Sequence, residues 1–321
     1  MTSSSGLEQG YQHWTQQGAY FLQPERKLLR ISGPDAVDFL HRMTTNHIKP
    51  LAVGAVQETS VLQGDGRMVG FGQLHRLTAD TFLLAAAPSA FDGILQQLDK
   101  LLFREKVELL DDSMQYAVIT ILSPKVALRT EITELASALK DPAPLAFAWV
   151  NGLHAQLIVP QAHLDTAANH LRKRLAEGSE ELFTLVRIEQ GWPEFGIDCT
   201  TSTIPLEARL KHAIDFTKGC FPGQEIVARI ENLGHPAKLL SGLTIDGQPE
   251  TENGQIVRNE EKNVGQISSR AWHPQLNTTI ALATLNWKSK DAGTLLTLGT
   301  ETAPIPARAT VTELPFVNRD K

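Results

Sequence analysis

A thiol, an ammonium, an amide and a carboxylate fall within the eight residues Lys218-Gly-Cys-Phe-Pro-Gly-Gln-Glu225. Gly219 and Gly223 let the backbone turn sharply or approach a ligand closely, and Pro222 stiffens the turn. An ammonium at Lys218 can lower the thiol pKa of Cys220, raising its thiolate fraction and its reactivity. Gln224 and Glu225 stand where a helix starts, with Ile226, Val227 and Ile230 as its buried face. The same string suits a plain Gly/Pro turn with Cys220 as a small buried hydrophobe, and it names no reaction. Upstream, Leu185-Val-Arg-Ile-Glu-Gln-Gly191 is an apolar stretch broken by Arg187 and Glu189. A carboxylate in such surroundings suits a planar heterocycle with two adjacent N–H donors, because a bidentate pair fixes orientation as well as energy. A structural Arg–Glu pair or a helix cap fits the same spacing, and Phe183 and Trp192 can stack on a flat ligand or belong to the core.

The elements that must position these groups alternate between strand-like and helix-like segments. Leu28–Ile31 reads as a short strand, and Ser32 or Asp35 can cap a helix over Ala36–Met43. Val56–Leu62 and Met68–Leu77 read as the arms of a hairpin turned at Gln63-Gly-Asp-Gly66. Apolar residues at Phe91, Ile94, Leu95, Leu98, Leu101 and Leu102 have helical spacing. Tyr116–Leu122, the pair Trp149–Asn151 and Ala155–Val159, and a helical stripe from Leu164 to Leu175 form a second α+β set. After Lys238 the short strands Leu239–Ile245, Gly265–Ala271, Thr279–Leu285 and Leu295–Leu298, without helices, suggest a small β-barrel or sandwich.

Composition narrows the classes. Thirty Lys+Arg against 36 Asp+Glu leave a net charge of −6, which excludes coating nucleic acid by global charge. A local basic face around Arg26, Lys27, Arg30, Arg42 and Lys49 remains as a surface for an acidic tail or tRNA. Two cysteines in 321 residues build neither a disulfide framework nor a four-cysteine metal site, and they fit a reduced cytoplasmic setting. The ten histidines are scattered with no HExxH, so no protein-only metal site is expected. The N-terminus lacks a signal pattern, and the apolar runs fall far short of the roughly 20 residues of a membrane helix. The glycine-rich Gly64–Gly72 stretch lies in a hairpin and lacks the helix N-terminus of a dinucleotide loop.

Arg187-Ile-Glu-Gln-Gly191, Phe195-Gly196, Pro205-Leu-Glu-Ala208 and above all Lys218-Gly-Cys-Phe-Pro-Gly-Gln-Glu225 resemble the YgfZ-type folate-binding proteins, relatives of the glycine-cleavage T-protein. Leu29–Ala36 with Thr45-Asn46, and Gly265–Ser269 with Ile280–Leu282, extend the resemblance over nearly the whole chain. It implies an α+β fold: a three-domain cloverleaf with two α+β domains and a C-terminal β-barrel around a central folate-sized cavity. The expected boundaries are an N-terminal domain over 1–115, a ferredoxin-like domain over 116–184, a folate and cysteine segment over 185–236 returning to the first domain, and the barrel over 237–321.

The resemblance assigns tetrahydrofolate as cofactor, Glu189 to the pterin ring, and Phe183, six positions earlier, as an aromatic wall. Arg187, Gln224 and Glu225 join the expected binding set, and Cys220 with Lys218 form the reactive pair. A second family aromatic falls on Arg26, a departure from the pattern. T-proteins also carry an Asp pair at the start of the second hairpin arm, one of which acts in aminomethyl transfer. Here Gly70 and Phe71 occupy roughly that place, and only Asp65 in the turn remains. Without a positioned acid or base, proton transfer at a folate nitrogen loses a standard accelerator. The implied function is a tetrahydrofolate-binding accessory protein for iron–sulfur cluster assembly or repair, and through iron–sulfur enzymes for tRNA modification. The implied partners are iron–sulfur assembly proteins or client enzymes, and the alternative is a folate-dependent aminomethyltransferase.

Overall fold

The computed structural model describes residues 4–23, 25–140, 144–246, 254–260, 262–299 and 304–319. Its contacts divide the chain into a first unit of Met1–Glu180, His212–Gln224 and Arg319–Lys321, and a second of Glu181–Lys211 and Glu225–Asn318.

The first unit runs α1 (Ser4–Gln17), β1 (Ala19–Gln23), β2 (Lys27–Ser32), α2 (Ala36–Met43), β3 (Val56–Leu62), β4 (Met68–Arg76), β5 (Thr81–Ala86), α3 (Pro88–Leu101) and β6 (Glu108–Asp111). It continues through β7 (Tyr116–Leu122), α4 (Arg129–Ser137), β8 (Ala146–Trp149), β9 (His154–Pro160), α5 (Leu164–Leu171) and β10 (Ala176–Glu177). These strands form two five-stranded sheets, ordered β3-β4-β5-β2-β6 and β10-β1-β7-β9-β8. The expected hairpin forms between β3 and β4, with Gly66 at positive φ (80°) in its turn. Residue 115 lies between β6 and β7, where the chain passes from one sheet to the other. β1 nevertheless joins the second sheet, pairing antiparallel with β7, and its Tyr20 is fully buried in the same core as Ile119 and Leu157. A five-residue strand so far from its partner leaves no local periodicity to read.

The two sheets pack face to face through Leu28, Leu83 and Ala85 on one and Val118 and Ile158 on the other. Cross-strand register places Gln73 opposite Ala85 and His75 opposite Leu83, so that apolar face continues into polar side chains. The other face of β4 is closed by α3. A Cβ built on Gly70 would lie 2.7 Å from Ala90 Cβ and 2.8 Å from Ile94 Cδ1, so only glycine fits there.

The second unit contains α6 (Glu180–Gln190, beginning at the junction), α7 (Gln224–Asn232, likewise) and a closed six-stranded barrel. The barrel strands are β11 (Lys238–Ile245), β12 (Ile256–Asn259), β13 (Lys262–His273), β14 (Thr278–Asn286), β15 (Leu295–Gly299) and β16 (Pro304–Thr312), in the order β11-β14-β13-β12-β15-β16. Leu243, Ile245, Val257, Ile267, Ala283, Leu285, Leu298 and Val311 fill its interior. The four expected strands are all present; β12 and β16 were not anticipated, because β12 spans four residues inside a polar stretch and β16 interrupts its apolar residues with Pro, Thr and Arg. The architecture is thus α+β followed by a β-barrel. Among the described residues no helix is long and apolar enough to cross a membrane.

Because the Gly70 site has no spare volume, Gly70→Ala is expected to cost about 1–3 kcal/mol by overpacking. Urea denaturation followed by circular dichroism checks this, and Gly70→Asp is expected to be worse because it also buries a charge.

Candidate functional site

The Cys220 loop belongs to the first unit and is fixed by its neighbours. Lys218 is buried, and its ammonium donates to the main-chain carbonyls of His41 and Thr44, the latter at 2.5 Å. A cation at a helix C-terminus meets both orphan carbonyls and the negative end of the α2 dipole. Burial draws the Lys218 ammonium down to about 8, with Asp215 opposing. Its Nζ also lies 5.2 Å from the centroid of the buried Phe221 ring. These hydrogen bonds anchor the loop to α2. In return, His41 Nε2 donates to the Lys218 carbonyl at 3.0 Å.

Gly223, at φ 77°, presses so closely on the hairpin turn that a Cβ would lie 2.5 Å from the Gln63 carbonyl oxygen and 2.7 Å from Gly66 Cα. Between these two anchors Gly219 takes φ 104° with open space at its Cβ position, and Cys220 is exposed. Gln224 is half-buried at the start of α7 and Glu225 exposed in its first turn, where a carboxylate favours the helix dipole. Cys199 is buried, which pushes its thiol far up.

Arg187 and Glu189 lie on α6 in the second unit. The helix ends in a Schellman motif: Gly191, at φ 72°, donates to the Ile188 carbonyl at 3.0 Å and Trp192 to that of Arg187 at 2.9 Å. Both charged side chains are buried. The Arg187 guanidinium pairs with Asp198, donates to the Trp192 carbonyl at 2.9 Å, and donates to Ser269 Oγ at 2.7 Å. Asp198 in turn accepts from Ser268 and Ser269, each at 2.6 Å. Glu189 has no exposed surface; its Oε2 accepts from His273 Nε2 at 2.8 Å and its Oε1 from Gln190 at 2.9 Å. His273 Nδ1 accepts the Leu276 N–H at 3.1 Å, which fixes the proton on Nε2 and makes the pair a neutral imidazole donating to a carboxylate.

Arg187 and Glu189 staple α6 to β13 through Ser269 and His273. Phe183 sits half-buried on the same helix.

One carboxylate of the site is marked by no sequence motif. Glu58 on β3 stands opposite Gln73 on β4, on the hairpin face shared by Ser60 and Phe71. A run of hydrogen bonds converges on it: His75 to Gln156 at 2.8 Å, Gln156 to Gln73 at 3.1 Å, Gln73 to Glu58 Oε1 at 2.8 Å, and His212 to Glu58 Oε2 at 2.6 Å. Burial alone would raise the Glu58 carboxyl, but the His212 and Gln73 hydrogen bonds and the His212 charge outweigh it, and the carboxyl lies below its ordinary range. Burial draws His75 and His154 each down to about 4. The available signal was period-two alternation, which puts a lone carboxylate on a face otherwise bound for the sandwich interior. Among the described residues no three His, Cys, Asp or Glu side chains converge as metal ligands.

Two α+β sheets and a six-stranded barrel make up a T-protein-like fold. Residues 7–154 match the GCVT N-terminal domain and residues 238–318 the glycine cleavage T-protein C-terminal barrel domain. The chain shares its fold with glycine cleavage system aminomethyltransferase T from Bartonella henselae, at a TM-score of 0.82 and 18% identity over 100% of this chain and 92% of that one. It is 28% identical to an aminomethyltransferase of Cutibacterium acnes over 91% of this chain and 85% of the relative. It is also 29% identical to the iron-sulfur cluster assembly factor IBA57 homolog of Mycosarcoma maydis, over 69% of this chain and 56% of the relative.

Removing Glu189 strands the buried His273 donor. Glu189→Ala is expected to cost about 1–3 kcal/mol from that donor alone, and Glu189→Gln less, by urea unfolding. His75 gives an acid signature. Its folded-state pKa is depressed from 6.5 to about 4, so between those values the unfolded chain binds more protons and stability falls as pH falls. About 3 kcal/mol is at stake; His75→Gln is expected to flatten the decline in unfolding free energy measured from pH 7 to 4.

Proposed function

We propose that this T-protein-like chain is an accessory factor for iron–sulfur cluster assembly or repair, with Cys220 as its working group. The observation that carries the reading is the exposed thiol on a loop held at Lys218 and at Gly223. A thiol presented on a fixed turn can engage a cluster or a partner's thiol, whereas a single cysteine cannot complete a four-ligand cluster by itself. The cluster is therefore cargo, shared with an assembly protein or a client enzyme, and effects on tRNA modification follow through iron–sulfur enzymes. The similarity to an iron–sulfur cluster assembly factor supports the same direction. A reduced cytoplasmic compartment suits an unpaired exposed cysteine.

Tetrahydrofolate stays in the proposal on the strength of the T-protein domains alone. The second reading, aminomethyl transfer, has the aminomethyltransferase similarity in its favour. Against it stands the second hairpin arm, where Gly70 leaves no room for a side chain and Phe71 replaces a carboxylate.

In cells, Cys220→Ser is expected to lower the activity of cluster-dependent enzymes several-fold while the purified variant keeps the wild-type circular dichroism spectrum. Unchanged client activity would overturn the cysteine reading. Anaerobic titration with tetrahydrofolate tests the ligand separately, and formation of methylene-tetrahydrofolate from an aminomethyl donor would instead support the transferase.

A further inference from the structure

Three ties hold the backbone from His212 to Lys218, spaced three residues apart, and each involves a histidine. His212 Nε2 lies 2.6 Å from Glu58 Oε2 on β3. Asp215 Oδ2 lies 3.4 Å from Nδ1 of His47. The Lys218 carbonyl accepts from His41 of α2 at 3.0 Å. The rings of His41 and His47 are themselves in contact, with centroids 4.8 Å apart. Beneath these, Thr45 forms two ties without a titratable group: its hydroxyl donates to the Ala213 carbonyl at 2.6 Å, and its carbonyl accepts the Asp215 N–H at 3.0 Å.

We propose that His47 and His212 are proton-gated positioning residues for Cys220, forming with His41 a clamp that stiffens the thiol-bearing segment when their imidazoles are protonated and slackens it when they are neutral. The proposal rests on Cys220 being the working thiol. Its physical basis is that a charge-assisted hydrogen bond is about twice as strong as a neutral one, and that imidazole alone among side chains ordinarily changes charge between pH 5 and 8.

Both carboxylates stay anionic through that range. Asp215 lies below its ordinary value because Thr217 donates to it twice, at 2.7 Å each, and Glu58 does so through His212 and Gln73. His41 behaves differently. Burial, then the charges of Lys218 and His47, hold its pKa down, so it serves as a fixed tie. The other charged groups facing the clamp are His154 toward Glu58, and Lys49 and Arg42 with their partner Asp38 beside His41. The two Thr45 hydrogen bonds keep the segment in register at every pH, so the gate changes stiffness and leaves the fold intact.

The test uses the full chain and two readouts between pH 5.5 and 8.5. One is amide hydrogen exchange over residues 212–222, corrected for its intrinsic pH dependence. The other is the N-ethylmaleimide rate at Cys220 per thiolate, which is clean because Cys199 is buried. In the wild type, protection is expected to rise at least threefold from pH 8 to 6, and the rate per thiolate to fall in parallel. Glu58→Gln and His47→Gln are expected to flatten both trends. His212→Gln, at a side chain 59% exposed, supplies a variant that keeps the fold if Glu58→Gln does not. His163→Gln, on a distant exposed turn, is expected to keep the wild-type profile. A wild-type protection independent of pH, or a pH dependence unaltered in the His47 and His212 variants, overturns the proposal. Either result leaves the iron–sulfur reading untouched, since that reading stands or falls with Cys220→Ser in cells.

Discussion

An ammonium taken out of water must be met by oxygen, and in this chain the oxygens that meet Lys218 are the main-chain carbonyls of His41 and Thr44. The placement of the thiol follows from that constraint. Once Lys218 is docked on the end of α2, Phe221 is drawn into contact with it and Cys220 is left on the outer side of the turn. Gly219 can then take its left-handed conformation, and Gly223 must be glycine because the hairpin turn occupies the space of a Cβ. In three dimensions the string is anchored at Lys218 and at Gly223.

The same rule governs the second unit. Arg187 and Glu189 are buried charged side chains, tolerated because each finds hydrogen-bond partners: Asp198 and Ser269 for the one, His273 and Gln190 for the other. Both sets of partners include residues of β13, so the two side chains hold α6 to the barrel. Glu189 also sits where the chain returns, since its carbonyl accepts the Phe316 N–H at 2.8 Å.

Close packing of Gly70 on Ala90 and Ile94 leaves that position without room for a side chain, and Phe71 beside it is buried. The acidic group of this region is Glu58, on which three hydrogen bonds in series end from one side and His212 closes from the other. That series lies on the face where the two sheets meet, which explains why neutral His75 and amide side chains replace apolar residues there.

The sequence by itself determined much of the local structure: the β3–β4 hairpin with its Asp-Gly turn, the α2 segment, the amphipathic α3 and the strand-only texture of the barrel. Each is written in short-range periodicity and turn chemistry, which need no distant partner. The sequence also singled out Cys220, because a Gly-Cys-Phe-Pro-Gly string is unusual wherever it folds. Only the tertiary structure decided what the charged members of the motifs do. Lys218 and Cys220 are two residues apart in the chain, yet one points into α2 and the other into solvent. Arg187 and Glu189 are equally close, yet they pair with residues about 10 and 80 positions away. Spacing along a chain reports which groups are available, while burial and hydrogen-bond partners 150 residues distant, such as His212 for Glu58, fix whether a charge grips a ligand or a neighbouring strand.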